Sequence, residues 1–200
     1  MSSSFGSRGL VPDDAAVASD DASAAELVIA GVRHVLLEGG DLARALGINT
    51  SPPKQGEPCT LCAVDVIDIL AISLAGDERR FVAASTVSFG RWGSALDFVT
   101  SSGFVDGREL CPRSHPGDGV LDRLSVAPGL TFRPRLAIHR RMRSGSHLPH
   151  PALNVFRSTE FILHGPRKLT VDGVPRGTFA ELQCKVRPSA MVIAVPVGAA

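Results

Sequence analysis

From residue 58 onward, apolar positions arrive in short bursts separated by Gly, Pro and acidic residues. That is the texture of strands and tight turns. Residues 64–74 are rich in Val, Ile and Leu, Gly76-Asp77-Glu78 supplies a turn, and 80–87 resumes, so the pattern predicts a β-hairpin. Residues 90–99, with Trp92, Leu96 and Phe98 spaced for one packed face, predict a helix. The stretch 101–119 carries four Gly and two Pro and reads as loop. Residues 120–126 predict a strand and 134–142 a basic helix. Short strands are expected at 154–156, 160–163, 168–171, 184–186 and 191–195. Strands at this spacing predict a mainly β, sandwich-like domain over 59–200.

The first fifty residues differ in texture. Residues 1–22 are rich in Ser, Ala, Gly and Asp without a sustained period and read as a mobile leader. Residues 24–37 suit a helix or a helix running into a strand. Residues 41–46 predict a short helix, with Asp41 suited to cap its start and Gly47 to end it. Pro52, Pro53, Gly56 and Pro58 make 49–58 a linker between the 23–50 segment and the β-rich domain.

Composition narrows the picture little. The 200 residues have a net charge of +1, 44% apolar residues, no Tyr and one Trp, so the core rests on Val, Leu, Ile and Ala. The charge is unevenly spread. Residues 131–170 hold Arg133, Arg135, Arg140, Arg141, Arg143, Arg157, Arg167 and Lys168 against Glu160 alone, which suits either a solvated helix face or an anionic membrane surface. Aromatic interleaving is sparse there, which argues against a nucleic-acid platform. No apolar run reaches the ~18 residues of a membrane span, and Asp13 and Asp14 stand where a signal peptide would be hydrophobic; a cytoplasmic protein touching membranes peripherally is expected. Cys59 and Cys62 form a lone CxxC, which is weak for zinc; reduced, buried thiols are the simpler account.

Several stretches, in one order, resemble the bacterial diacylglycerol-kinase-like lipid kinases, the family that includes sphingosine and ceramide kinases. Residues 35–48 (V-L-L-E-G-G-D-L-A-R-A-L-G-I) are similar to P-L-G-T-x-N-D-L-A-R-A-L-G-I, and 80–90 to F-x-N-x-A-S-x-G-F-G. Residues 111–122 (C-P-R-S-H-P-G-D-G-V-L-D) are similar to P-x-A-x-x-D-D-G-x-L-D, and 144–151 to the G-x-H-x-x-H-P turn. Residues 171–175 resemble V-D-G-E-P, and 186–191 resemble V-x-P-G-A-L.

The resemblance implies a β-sandwich-like C-terminal domain preceded by a remnant of an α/β nucleotide-binding domain. It also implies ATP-dependent phosphorylation of a lipid hydroxyl, with diacylglycerol as the model substrate. Such chemistry needs backbone amides for phosphates, a metal for the developing charge and a carboxylate for the hydroxyl proton.

Here each part is altered. Gly39-Gly40-Asp41 imitates the first half of the family's G-G-D-G-T, and nothing else in 1–38 resembles it. The segment is also too short for a full α/β layer. Gly39 and Asp41 are therefore the remnant nucleotide contacts, with Glu38 standing where the family has a phosphate-contacting Thr. Val174 replaces the family's proton-accepting Glu, leaving Asp172 as a substitute base or a turn former beside Gly173. The 111–122 loop implies a structural Mg²⁺ held by Asp118 and by the carbonyls of His115 and Val120; the alternative is a tight Asp118-Gly119 turn.

Three readings follow: a lipid kinase with its nucleotide site supplied by a partner chain, a catalytically silent lipid-binding relative, or a truncated gene product.

Overall fold

The computed structural model describes residues 6–197. Their backbone is mainly β, built around one extended sheet whose strands, in spatial order, are Ser7–Leu10, Pro58–Ile72, Val174–Pro196, Glu160–Val171, Thr86–Gly90, Leu96–Thr100, Leu121–Val126 and Leu153–Ser158. The strands are β1 (Ser7–Leu10), β4 (Pro58–Ile72), β6 (Thr86–Gly90), β7 (Leu96–Thr100), β10 (Leu121–Val126), β11 (Leu153–Ser158), β12 (Glu160–Val171) and β13 (Val174–Pro196). Off this path, β5 (Glu78–Ala83) pairs with β4, while β2 (Ala16–Ala18) and β3 (His34–Leu37) extend the sheet beside the end of β13. A small hairpin, β8 (Phe104–Val105) with β9 (Arg108–Glu109), stands apart. The helices are α1 (Asp21–Ile29), α2 (Asp41–Ala45) and α3 (Phe132–Arg141), the last continuing into a 3-10 turn over Met142–Ser144.

Two long strands organise everything else. Residues 58–72 pair with β13 almost throughout, and β13 also pairs with β12 along its first half and with β3, in parallel, near its end. The sheet curls over itself: Ile67 and Ile69 of β4, Phe89 of β6, Val99 of β7, Leu121 of β10 and Leu182 of β13 share one buried cluster. Each such side chain removed from water contributes roughly 1.5–3 kcal/mol. A second cluster joins Ala24 and Val28 of α1, Val35 and Leu37 of β3, Leu42 of α2 and Ile193 of β13. A third packs Ile138 of α3 and Met142 onto Phe98 of β7 and Leu124 of β10.

The N-terminal region departs most from its sequence reading. In place of a leader, residues 7–10 pair antiparallel with β4, and 16–18 pair parallel with β3. With α1 as crossover, β2-α1-β3 is a complete βαβ unit in 22 residues, shorter than the about thirty assumed from typical units. Small residues permit this: Ala18, Ala24 and Ala25 are buried and let helix and strand approach closely.

Residues 90–99 form a hairpin, not a helix. Gly90 has φ +123°, and a methyl there would lie 2.0 Å from the Ala95 carbonyl oxygen, so the chain doubles back through a turn that only glycine enters. All five residues of β7 are buried, which erased the alternation that would have marked a strand. The two short strands expected at 160–163 and 168–171 are one strand with an irregularity between His164 and Arg167, and those at 184–186 and 191–195 are parts of β13. Cys59 and Cys62 both lie on β4, where an odd spacing sends their side chains to opposite faces and into different clusters. All four cysteines are buried and none is in a disulfide. Among the described residues no helix is long and apolar enough to cross a membrane.

Candidate functional site

A cleft of about 750 Å³ opens where the βαβ unit meets the main sheet. Asp20, Asp21, Gly40, Asp41 and Arg44 line it from the α/β side, Thr86, Ser88, Thr170 and Asp172 from the sheet, and Asp106 and Arg108 from the β8–β9 hairpin. Trp92, Leu96, Phe98, Val105 and Met142 give it an apolar wall. His139 of α3 meets Trp92 edge-on, with ring centroids 6.3 Å apart, and burial together with Arg108 lowers its pKa.

The acidic side is built by two helix starts. Strand β2 ends at Ala18 and runs through Ser19-Asp20 into α1. Asp20 is the N-cap: its Oδ1 accepts from the Ser23 amide at 2.8 Å, while Ser23 Oγ accepts from the Asp20 amide at 3.0 Å. Asp21 then turns away from its own helix. Its carboxylate accepts the Asp41 amide at 2.8 Å and the Leu42 amide at 3.1 Å, so it caps α2 from twenty residues upstream. Asp41 is therefore not the cap. Gly40 holds the N-cap position with no side chain to offer, and a methyl there would sit 2.3 Å from Asp21 Oδ1. The glycine is the space the carboxylate fills.

Asp172 and Gly173 form the two-residue turn between β12 and β13, with φ +45° and +78°. Its carboxylate accepts three successive amides, from Ala84 at 2.7 Å, Ser85 at 3.0 Å and Thr86 at 2.8 Å, tying this turn to the corner between β5 and β6. Turn former and cleft-lining acid are thus the same residue. Asp41 accepts the Gly107 amide at 2.7 Å and so holds the β8–β9 hairpin over the cleft.

Burial raises the pKa of all three acids. Asp21 rises to about 7, through burial first and the nearby Asp172 second, against the pull of its two amides. Asp172 rises to about 6, burial outweighing three amide hydrogen bonds, and Asp41 moves upward too.

Of the residues singled out from sequence, the fold brings Asp41 and Asp172 into this one cleft, although 131 positions separate them. Gly39 stands just outside, its α-carbon turned toward the Ser19 carbonyl. Glu38 is exposed, and Val174 is half-buried at the start of β13. Asp20 and Asp21 were missed. Ser19-Asp20-Asp21-Ala22-Ser23 keeps the aspartate and the hydroxyl of G-G-D-G-T at its third and fifth places, but no glycine, and glycine was the signal sought. The spacing of Asp20 and Ser23 ahead of an apolar run was a legible helix start.

His115, Asp118 and Val120 lie elsewhere, in the loop before β10. A divalent cation there needs the Asp118 carboxylate, yet Asp118 Oδ1 accepts the Val120 amide at 3.2 Å and Oδ2 is engaged by the Arg157 guanidinium. Arg157 stands directly across from Asp122 on β11, its Nε 4.0 Å from Asp122 Oδ1; the other Asp122 oxygen is buried without a partner. Asp65, 1% exposed, accepts the Gly119 amide at 2.7 Å and the Ser189 amide at 2.9 Å, stitching the loop to β13. Among the described residues no three His, Cys, Asp or Glu side chains converge as a metal site. The arrangement does not fit the Mg²⁺ expected at Asp118: the counter-charge is a guanidinium.

The comparisons bear on the fold as a whole. Residues 71–195, well over half of the chain, match the model of the YegS C-terminal NAD kinase beta sandwich-like domain. Among solved structures, a candidate diacylglycerol kinase from Bacillus anthracis str. Sterne superposes with a TM-score of 0.60 at 10% identity, covering 94% of this chain and 80% of that one. A structure of a diacylglycerol kinase from the same strain superposes with a TM-score of 0.56 at 14% identity, covering 93% and 78%. No curated protein matches. The strand–helix framework around the cleft is thus shared with these proteins, and the chain belongs to the diacylglycerol-kinase-like lipid kinase family through its YegS-type, β-sandwich-like C-terminal domain.

Proposed function

We propose that this chain is a lipid-binding member of the family that does not itself transfer phosphate, the cleft holding a diacylglycerol-like amphiphile. One observation carries the reading: both helix N-termini that reach the cleft are already capped by the protein's own carboxylates, Asp20 on α1 and Asp21 on α2. Free backbone amides at such positions are what a nucleotide phosphate requires. With the Ser23, Asp41 and Leu42 amides taken and two acids beside them, a phosphate would meet fewer donors and added repulsion. In this reading Ser19–Ser23 is the counterpart of G-G-D-G-T, with the phosphate cradle converted into an internal cap.

ATP does not fit these residues, and neither does Mg²⁺ at Asp118, so no phosphoryl step is assigned to this chain. Asp172 is an unsuitable base for the same chemistry, since its carboxylate is spent on three amides. The remaining features favour an amphiphile. Trp92, Leu96, Phe98, Val105 and Met142 offer an apolar surface for acyl carbons, and Arg44, Arg91, Arg108 and the hydroxyls of Thr86 and Ser88 offer polar contacts for a glycerol head.

Thermal unfolding with dioctanoylglycerol, and separately with ATP and Mg²⁺, tests this. At one hundred times its dissociation constant a ligand adds about 2.7 kcal/mol. For a domain of this size that is a rise of about 5–11 °C. The expected result is a rise with the lipid and none with ATP. Transfer of label from ATP to the lipid above a boiled control would overturn the reading and favour a retained kinase, with or without a partner chain.

A further inference from the structure

We propose that the β8–β9 hairpin is a flap that gates the cleft, with Asp41 as its latch; the ligand it gates rests on the lipid-binding reading above. The hairpin forms a two-stranded sheet of its own, outside the extended one. Its neck is fixed to the main sheet. The Leu110 and Cys111 amides donate to the Gly103 carbonyl at 2.7 and 3.0 Å, and the Gly103 amide donates to Thr100 Oγ1 at 2.9 Å. Thr86 Oγ1 donates to the Phe104 carbonyl at 2.6 Å, and Nε2 of the buried His147 donates to the carbonyl of the buried Leu110 at 2.9 Å.

The tip is held differently. Val105-Asp106-Gly107-Arg108 is a two-residue hairpin turn, with φ +48° at Asp106 and +71° at Gly107, and both tip residues are exposed. Asp41 reaches it from α2, on the opposite side of the cleft. Its carboxylate accepts the Gly107 amide at 2.7 Å, and the Asp106 amide also favours its charged form. Arg44, further along α2, lies beside the tip: a methyl on Gly107 would meet its guanidinium at 3.4 Å. A neck of mutually supporting bonds and a tip tied by one side chain of another element is the geometry of a hinged flap.

A purely structural tie accounts for the Asp41 bond but leaves Arg108 unexplained. That residue lines the cleft from the hairpin; its Nη1 reaches the Asp106 carbonyl at 3.3 Å, while its Nε is buried without a hydrogen-bond partner. A buried donor of that kind is costly unless something accepts from it. A hydroxyl or ester oxygen of a glyceride in the cleft is such an acceptor. The flap then closes onto its ligand through Arg108, and Asp41 holds it shut from α2. Asp41, expected from the sequence as a nucleotide contact, is in this arrangement a positioning residue that acts through the hairpin.

Amide hydrogen exchange of the full chain, without ligand, reads the latch directly. In D41A the amides of 104–109 should exchange about tenfold faster, the weight of one amide–carboxylate hydrogen bond, while those of Gly103, Leu110 and Cys111 at the neck keep their wild-type rates. D41N retains an acceptor oxygen and should recover most of the protection. Stopped-flow fluorescence of Trp92, the one tryptophan and part of the cleft wall, follows dioctanoylglycerol entering and leaving. D41A should raise the association and dissociation rates together, by about tenfold each, because an unlatched flap opens more often in both directions. R108M, which loses the donor, should raise the dissociation rate alone. Wild-type exchange at 104–109 in D41A, faster exchange spread evenly over the whole chain, or a lowered melting temperature with neither rate moved would overturn the proposal. If dioctanoylglycerol changes neither the melting temperature nor the Trp92 signal of the wild type, the cleft reading falls, and exchange at 104–109 still upholds or overturns the latch.

Discussion

Replacing Asp21 by asparagine removes the charge at the heart of the cleft while keeping its shape. Asp21 is 7% exposed, and burial with Asp172 nearby raises its pKa to about 7 from an ordinary value of 3.8. The folded state therefore holds this proton more tightly than the unfolded chain does. The stability it contributes is fully present below about pH 4 and is lost as pH rises through about 7. Between pH 5 and pH 8 the loss works out at about 2.5 kcal/mol. Asparagine carries no such dependence. It retains one oxygen for either the Asp41 or the Leu42 amide and leaves the other amide without a partner, a cost of about 1–3 kcal/mol at every pH. D21N is thus expected to be less stable than wild type at pH 5 and to recover about 2.5 kcal/mol of that deficit by pH 8. Urea unfolding of both proteins at the two pH values measures the double difference, in which the other titrating acids largely cancel. If D21N keeps the full wild-type pH dependence, the argument about Asp21 is wrong.

Three further outcomes can be measured. Asp97 is 2% exposed and sits between Arg123 and Arg167 at 2.8 and 2.5 Å, so D97A should cost about 3–5 kcal/mol in urea unfolding by leaving two guanidinium groups unmatched. Mg²⁺ at constant ionic strength should leave the wild-type melting temperature unchanged, whereas R157A, which strips the cation from Asp118 and Asp122, should lose about 1 kcal/mol and gain a Mg²⁺-dependent rise. V174E restores the family's carboxylate, yet it should transfer no label from ATP to dioctanoylglycerol, because the Ser23, Asp41 and Leu42 amides stay engaged by Asp20 and Asp21.

Local chemistry explains which parts of this fold the sequence disclosed. Helix α2 was readable up to its end at Gly47, though Asp41 is not its cap; α3 was readable as a basic helix, β10 as a short apolar run, and the β4–β5 hairpin from apolar runs around Gly76-Asp77. What failed depended on distant partners. Residues 7–18 look featureless alone and become strands only because β4 and β3 supply the other half of each ladder. Within 90–99, the β7 residues from Leu96 onward are buried on both sides, so no alternation survived to separate strand from helix. The site divides the same way. Asp41 and Asp172 were found by motif, but Asp21 required knowing that α2 would start against it, and Asp118 required knowing that Arg157 would lie across the ladder from Asp122. Motifs name residues; their counter-charges are set by the fold.

The 23-residue strand β13 has a mechanical consequence. It is hydrogen-bonded to β12 at one end and to β3 at the other, so one strand joins the sheet that carries Asp172 to the βαβ unit that carries Asp21. Its register against β4 breaks between Arg187 and Met191, where a hinge would be sought, and there Asp65 grips the Ser189 amide from that neighbouring strand. The junction therefore behaves as a braced beam and not as a joint. A two-lobed enzyme that clamps down on its substrate needs compliance at that point. A brace there restrains such closure, so in the lipid-binding reading the rim of the cleft is what an entering amphiphile must pass.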